Sequence, residues 1–158
     1  MTFKPRVGRL KWVFTDHPVY FLAACTQRRR PILDNRVGHD SFRAFALGAE
    51  KFRVLVGAYT IMPDHLHCFV GFMEGAPSLW MWMKSLRNTL SKALKETGVM
   101  PPHWQDGFLD HLLRSEESYQ DKWHYVRENP VRAGLVKQAE DWPFQGQIHR
   151  LEVSKRRS

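Results

Sequence analysis

At 158 residues and 43% hydrophobic content, the chain can bury one ordinary core and is expected to form a single domain over residues 1–153, with a basic tail over 154–158. Its longest apolar run, Val19 to Cys25, falls far short of the roughly 20 residues of a membrane span, and Met1 to Arg6 lack the apolar stretch of a secretory signal, so a soluble, cytoplasmic protein without a membrane partner is expected. Lys and Arg outnumber Asp and Glu by 24 to 16, a formal charge of +8 that favours a polyanionic partner, while two cysteines in no spaced pattern argue against a disulfide framework or a cysteine zinc site.

Val19 to Thr26 gathers β-branched, aromatic and small apolar residues in one short run, which predicts a buried strand ended by the basic loop Gln27-Arg28-Arg29-Arg30-Pro31. Between Val37 and Phe52, Phe42, Phe45, Ala46 and Ala49 recur at spacings of three and four, the face of a helix. Val54 to Met62 and Leu66 to Phe72 read as two strands of a hairpin turned at Pro63-Asp64. Ser78 stands where it can cap an amphipathic helix running to about Thr97, with Leu79, Trp80, Met83, Leu86, Leu90, Ala93 and Leu94 on its apolar side and Gly98 as its stop. Leu109 to Arg114 suggests another strand, and Ser115-Glu116-Glu117 the acidic start of a last helix. The alternation of strands and helices around a hairpin predicts an α+β fold, an antiparallel sheet covered by helices.

Within Met62-Pro63-Asp64-His65-Leu66-His67-Cys68, the two-residue period of a strand sends His65 and His67 to one face and Leu66, Cys68 and Val70 to the other. Two imidazoles on one face can hold a divalent ion and leave positions open for substrate oxygens. An HxH triplet alone, however, belongs more often to hydrogen-bonded structural histidines than to ligands. Asp64 either orients an imidazole or merely forms the turn after Pro63. On the last helix, Tyr119, Trp123 and Val126 fall within one stripe, whereas Tyr125 lies about a quarter-turn away and shares its face with Asn129, unless Pro130 ends the helix first. Tyr125 is thus an aromatic outside the core, and a tyrosine hydroxyl, a poor nucleophile near neutral pH, would need a metal-polarised phosphate to attack.

Four ordered segments carry a family resemblance: Tyr20-Phe21-Leu22 with Thr26-Gln27-Arg28-Arg29; Met62 to His67; Tyr125-Val126-Arg127-Glu128-Asn129-Pro130 through Leu135; and Asp141-Trp142-Pro143-Phe144. Over nearly its whole length the chain resembles the HUH-type single-strand transposases with one tyrosine nucleophile, in particular the REP-associated tyrosine transposases. The resemblance implies a ferredoxin-like or RNA-recognition-type palm whose central strand bears the histidines. It implies that His65 and His67 bind Mg²⁺ or Mn²⁺, and that Asn129, at the position of a glutamine in insertion-sequence relatives, is the third ligand. Tyr125 would attack a DNA phosphodiester to give a 5′-phosphotyrosine. The implied partner is single-stranded DNA with palindromic hairpins, bound by a nucleoid-associated monomer or homodimer.

On such a substrate, Arg28, Arg29 and Arg30 form the densest basic cluster outside the tail, Lys84, Arg87 and Lys92 lie on the solvent side of their helix, and Arg114 and Arg132 flank the tyrosine segment, where bidentate arginine suits a phosphate. For each, a merely solvated charged face is an equal alternative. Trp104, Trp80 and Trp82 offer stacking surfaces for bases, with Trp80 assigned to the core by its helical phase. Two other functions fit the same residues: a hairpin-binding module without catalysis, and a metal phosphohydrolase that activates water instead of tyrosine.

Overall fold

The computed structural model describes residues 17–153, so the basic tail expected at 154–158 lies outside the described residues. Strand β1 (Val19–Cys25) leads through a turn of 3-10 helix (Gln27–Arg29) to α1 (Arg36–Gly48), which a second 3-10 turn (Ala49–Phe52) continues. Then come β2 (Val54–Ile61), β3 (His65–Phe72), α2 (Leu79–Glu96), β4 (Leu109–Leu113), α3 (Glu116–Arg127), the short α4 (Asn129–Arg132), a 3-10 turn (Ala139–Asp141) and β5 (Gln145–Gln147).

The helix starts follow the capping chemistry of the sequence. Asn35, Ser78 and Ser115 each accept a hydrogen bond through the side chain from the backbone N–H three residues on, at Gly38, Met81 and Ser118. Each such cap is worth about 1 kcal/mol. Gly98, at φ +86°, ends α2 as expected, since only glycine takes that backbone without strain.

The five strands form one antiparallel sheet in the order β4-β1-β3-β2-β5. Its first four strands, with α1 and α2 as the two crossovers, make the ferredoxin-like α+β palm, and the HxH strand β3 sits at the centre. One face, formed by Leu22, Ala24, Val54, Val56, Leu66, Cys68 and Val70, packs against Phe42 and Ala46 of α1 and Trp82, Met83, Leu86, Leu90 and Leu94 of α2. The other face, formed by Val19, Phe21, Leu55, Ala58, Phe69 and Leu113, packs against Tyr119 and Val126 of α3 and against Leu151 and Val153.

A bulge between Val56 and Tyr59 lets Val54, Val56, Tyr59 and Ile61 all face the α1–α2 core although the strand changes phase between them. Gly57 sits in that bulge because a Cβ there would stand 2.7 Å from Leu151 Cδ1 and 2.9 Å from Tyr119 Oη. Trp142, from the fourth family segment, donates its indole N–H to the Ile61 carbonyl at 3.0 Å and so fastens β5 along β2.

Trp80 corrects an expectation. It is 65% exposed, whereas Trp82 is 3% exposed and belongs to the core. Trp82, Met83, Leu86, Leu90, Ala93 and Leu94 centre the buried arc of α2, and Trp80 lies about 100° from that centre at 100° per residue. The helical phase that assigned it to the core places it at the edge of the apolar stripe, beyond the arc that is buried.

Candidate metal and nucleophile site

The register of β3 against β1 pairs His65 with Cys25 and His67 with Ala23, which places the histidines at one end of the sheet beside the turn that follows β1. Their rings stand 4.7 Å apart, nearly perpendicular at 81°. Phe21 stacks on His67 at 5.1 Å between centroids. Lys122 of α3 lies 5.0 Å above the Phe21 ring.

Asp64 does more than turn the chain. Its carboxylate accepts from His65 Nδ1–H at 2.8 Å and from Arg29 Nε–H at 2.9 Å. The Asp64 bond fixes the His65 tautomer and leaves the Nε2 lone pair available as a ligand. Burial alone would raise the Asp64 carboxyl, but the hydrogen bonds from His65 and Arg29 outweigh it and hold the group below the usual carboxylate value.

Burial, reinforced by His65, Lys122 and Arg29, pushes the His67 imidazole down to about 3, so that it is neutral at pH 7, the form that ligates metals. Its buried Nδ1 has no hydrogen-bond partner. A neutral imidazole with an orphaned nitrogen, next to a second imidazole oriented by a carboxylate, fits a divalent ion. Among the described residues no group of three or more His, Cys, Asp or Glu side chains comes together to hold one. Further ligands would therefore be an amide, water or substrate oxygens.

Arg29 reaches Asp64 through an unusual backbone. Arg28 and Arg29 lie at φ +54° and +56°, the left-handed region that costs a non-glycine residue of order 1 kcal/mol or more. Thr26 Oγ1 lies 2.8 Å from the Arg30 carbonyl and 3.1 Å from that of Asp64, which holds the turn closed. Arg29 also donates to Cys25 Sγ at 3.0 Å. Of the expected arginine cluster, Arg28 is exposed, Arg29 serves Asp64, and Arg30 donates to the Met100 and Pro102 carbonyls at 3.0 and 3.1 Å.

Tyr125 is 64% exposed on α3, while Tyr119 and Val126 are buried, as the helical phase requires. The helix ends at Arg127, and Asn129 begins α4 ahead of Pro130, so Tyr125 and Asn129 stand on separate elements. Arg132 reconnects them. Its guanidinium lies 3.9 Å over the Tyr125 ring and donates to the Tyr125 carbonyl at 2.7 Å and to the Asn129 carboxamide oxygen.

Arg114, Lys84 and Lys92 are exposed, whereas Arg87 is half-buried between aromatic rings and is not part of a solvated face. Lys122 was missed by sequence reasoning. Its signal was its place three residues before Tyr125, on the adjoining face of the same turn.

The sheet order, with the HxH strand at its centre, defines an HUH-type palm. The chain belongs to the family described as "Transposase IS200 like", whose model matches residues 16–129. It is 29% identical over 89 residues to the REP-associated tyrosine transposase of Escherichia coli K12, covering 56% of this chain and 52% of that protein, so it spans about half the length of that relative. It is 26% identical over 147 residues to a Haemophilus influenzae Rd protein provisionally named a REP-associated tyrosine transposase, covering 83% of this chain and 80% of that one. Among solved structures, a REP-associated tyrosine transposase bound to a REP hairpin superposes with a TM-score of 0.63 at 25% identity, covering 81% of this chain and 75% of that one. A protein provisionally named a transposase from Deinococcus radiodurans R1 shares the fold, with a TM-score of 0.54 at 16% identity over 73% of this chain and 92% of that one.

Proposed function

We propose that the chain is a divalent-metal-dependent endonuclease and strand transferase for single-stranded DNA, acting on palindromic hairpins through a 5′-phosphotyrosine on Tyr125. The observation that carries this reading is the histidine pair at the palm's centre, one imidazole kept neutral by burial and the other oriented by Asp64. The relative solved with a REP hairpin supports a hairpin as the substrate class. The formal charge of +8 suits it, and the nucleoid is the compartment that offers it. No helix among the described residues is long and apolar enough to cross a membrane.

His65 and His67 would hold Mg²⁺ or Mn²⁺, with Asn129 joining them once Arg132 releases its carboxamide oxygen. The bound ion supplies Lewis-acid polarisation of the scissile phosphate. Tyr125 Oη attacks phosphorus, forming a tyrosyl P–O bond as the bond to the 3′ oxygen breaks; the phenolic proton passes to water and the departing strand keeps a free 3′-hydroxyl. Attack by a 3′-hydroxyl on the phosphotyrosine reverses the bonding and joins strands without external energy. Arg132, stacked on Tyr125, and Arg114, at the start of α3, would take phosphate oxygens, with Arg28, Arg29, Lys84, Arg87 and Lys92 along the flanking strand and Arg30 steadying the loop. The working form is a monomer or homodimer.

The test is incubation with a labelled hairpin and Mn²⁺ followed by denaturing electrophoresis. A covalent adduct is expected with the unaltered chain, and none with Tyr125→Phe or in EDTA. An undiminished adduct with Tyr125→Phe would overturn the assignment.

A further inference from the structure

A groove of about 380 Å³ opens between α2 and the loop leading to β4, with Trp80, Lys84, Arg87, Asn88, Trp104 and Phe108 among its lining residues. That volume falls within the roughly 300–1,000 Å³ of small-ligand clefts. Its walls are aromatic and fixed. The Trp104 indole N–H is 3.0 Å from Ser91 Oγ and 3.3 Å from the Arg87 carbonyl, and Trp80 meets Phe108 edge to face at 4.7 Å while remaining 65% exposed.

Between these rings lies the Arg87 guanidinium, 5.8 Å from the Trp104 centroid and 5.6 Å from that of Phe108. One of its amino groups donates to the Gly107 carbonyl, yet its buried Nε–H has no partner. A partly desolvated guanidinium with an unpaired donor is costly, and a negative charge brought close to it would offset that cost.

The Trp104 wall of the groove adjoins the histidine end of the sheet. Cys25 pairs with His65, and the next residue, Thr26, bridges to Trp104. A strand passing around that end, from the α3 face that bears the histidines to the α2 side, can meet both places.

We propose that this groove binds one unpaired nucleotide of the DNA strand flanking the cleavage site, its base stacked against Trp80 and its phosphate held by Lys84 beside the Arg87 guanidinium. This rests on single-stranded DNA being the substrate. Aromatic faces stack on any base, and the neighbouring cations hold the backbone, the two elements of single-strand recognition. The Asn88 carboxamide, on the same wall, offers a donor and an acceptor to the base edge.

The test uses the full chain in EDTA, where binding is read apart from cleavage, with hairpins carrying 2-aminopurine or an abasic residue at successive positions of the single-stranded flank. One position is expected to show quenched fluorescence. An abasic residue there and Trp80→Ala are each expected to weaken binding about tenfold, with no further loss when combined, and Trp80→Phe to restore most of it. Binding of every oligonucleotide by Trp80→Ala within about twofold of the unaltered chain would overturn the proposal and leave the aromatic cluster as a fastening for the loop. An adduct on Tyr125 without a quenched position would refute the groove alone. A quenched position without any adduct would refute the cleavage chemistry and leave the groove standing.

Discussion

On the face covered by α1 and α2, β3 presents Leu66, Cys68 and Val70 to a continuous apolar core, whereas the opposite face of the same strand carries His65, His67 and Phe69 beneath α3. Burial acts on both faces with opposite chemical results. It pushes the Cys68 thiol up, so the sulfur stays protonated and inert, and it pushes the His67 imidazole down, so the nitrogen keeps its lone pair. Burial therefore leaves one group a protonated core filler and its neighbour a neutral imidazole with a lone pair to offer. The α1–α2 face is a continuous apolar core, whereas the α3 face gives part of its packing to the histidines proposed to bind metal.

If that division of labour holds, damage to the first face should cost stability and damage to the second should cost chemistry. Leu86→Ala, at a fully buried position of α2, is expected to destabilise by about 2–5 kcal/mol in urea denaturation. Adduct formation per folded molecule should not change; a loss in molecules that remain folded would break the comparison. Asp64→Asn keeps the size of the side chain but removes the charge that orients His65, so calorimetric Mn²⁺ affinity is expected to fall about 10- to 100-fold. Its effect on stability should stay within about 1 kcal/mol, because the Arg29 partner is half exposed. Unchanged Mn²⁺ affinity would show that the Asp64 bond serves the turn and not the metal.

The smallest effect sharpens the first face. Burial, then Arg43, holds His39 below its ordinary value of 6.5 against a weaker opposite pull from Asp40. Its Nε2 lies 2.7 Å from Tyr59 Oη, to which Arg43 also donates. Below about pH 6.5 the unfolded chain takes up a proton that folded His39 resists, so stability present above that pH declines as the pH falls and the loss is complete once folded His39 protonates. His39→Gln is expected to flatten that part of the stability–pH curve by thermal melting. An equally steep curve would assign the slope to other groups.

Periodicity and capping residues determined most of the fold. The two-residue alternation from His65 to Val70 separated the histidine face from the face of Leu66, Cys68 and Val70, and the three- and four-residue spacing on α3 set Tyr125 apart from Tyr119 and Val126. Those patterns are local, and a sequence displays local geometry directly. Trp80 shows the limit: the apolar stripe of α2 is wider than the arc that packing buries, and only the packing put Trp80 outside that arc, with Phe108 of the loop to β4 at its edge.

The sequence by itself determined that two imidazoles share a face, that a tyrosine stands outside the core and that the chain is basic. Only the tertiary structure decided what each charged group does. Arg29 reaches Asp64 across 35 positions of chain, Lys122 comes over Phe21 from a different layer, and Arg87 is half-buried between two rings supplied by another segment. Hydrogen bonds, desolvation and cation–π contacts act over a few ångströms of space, so residues far apart in sequence acquire their roles only when the sheet and its helices close upon one another.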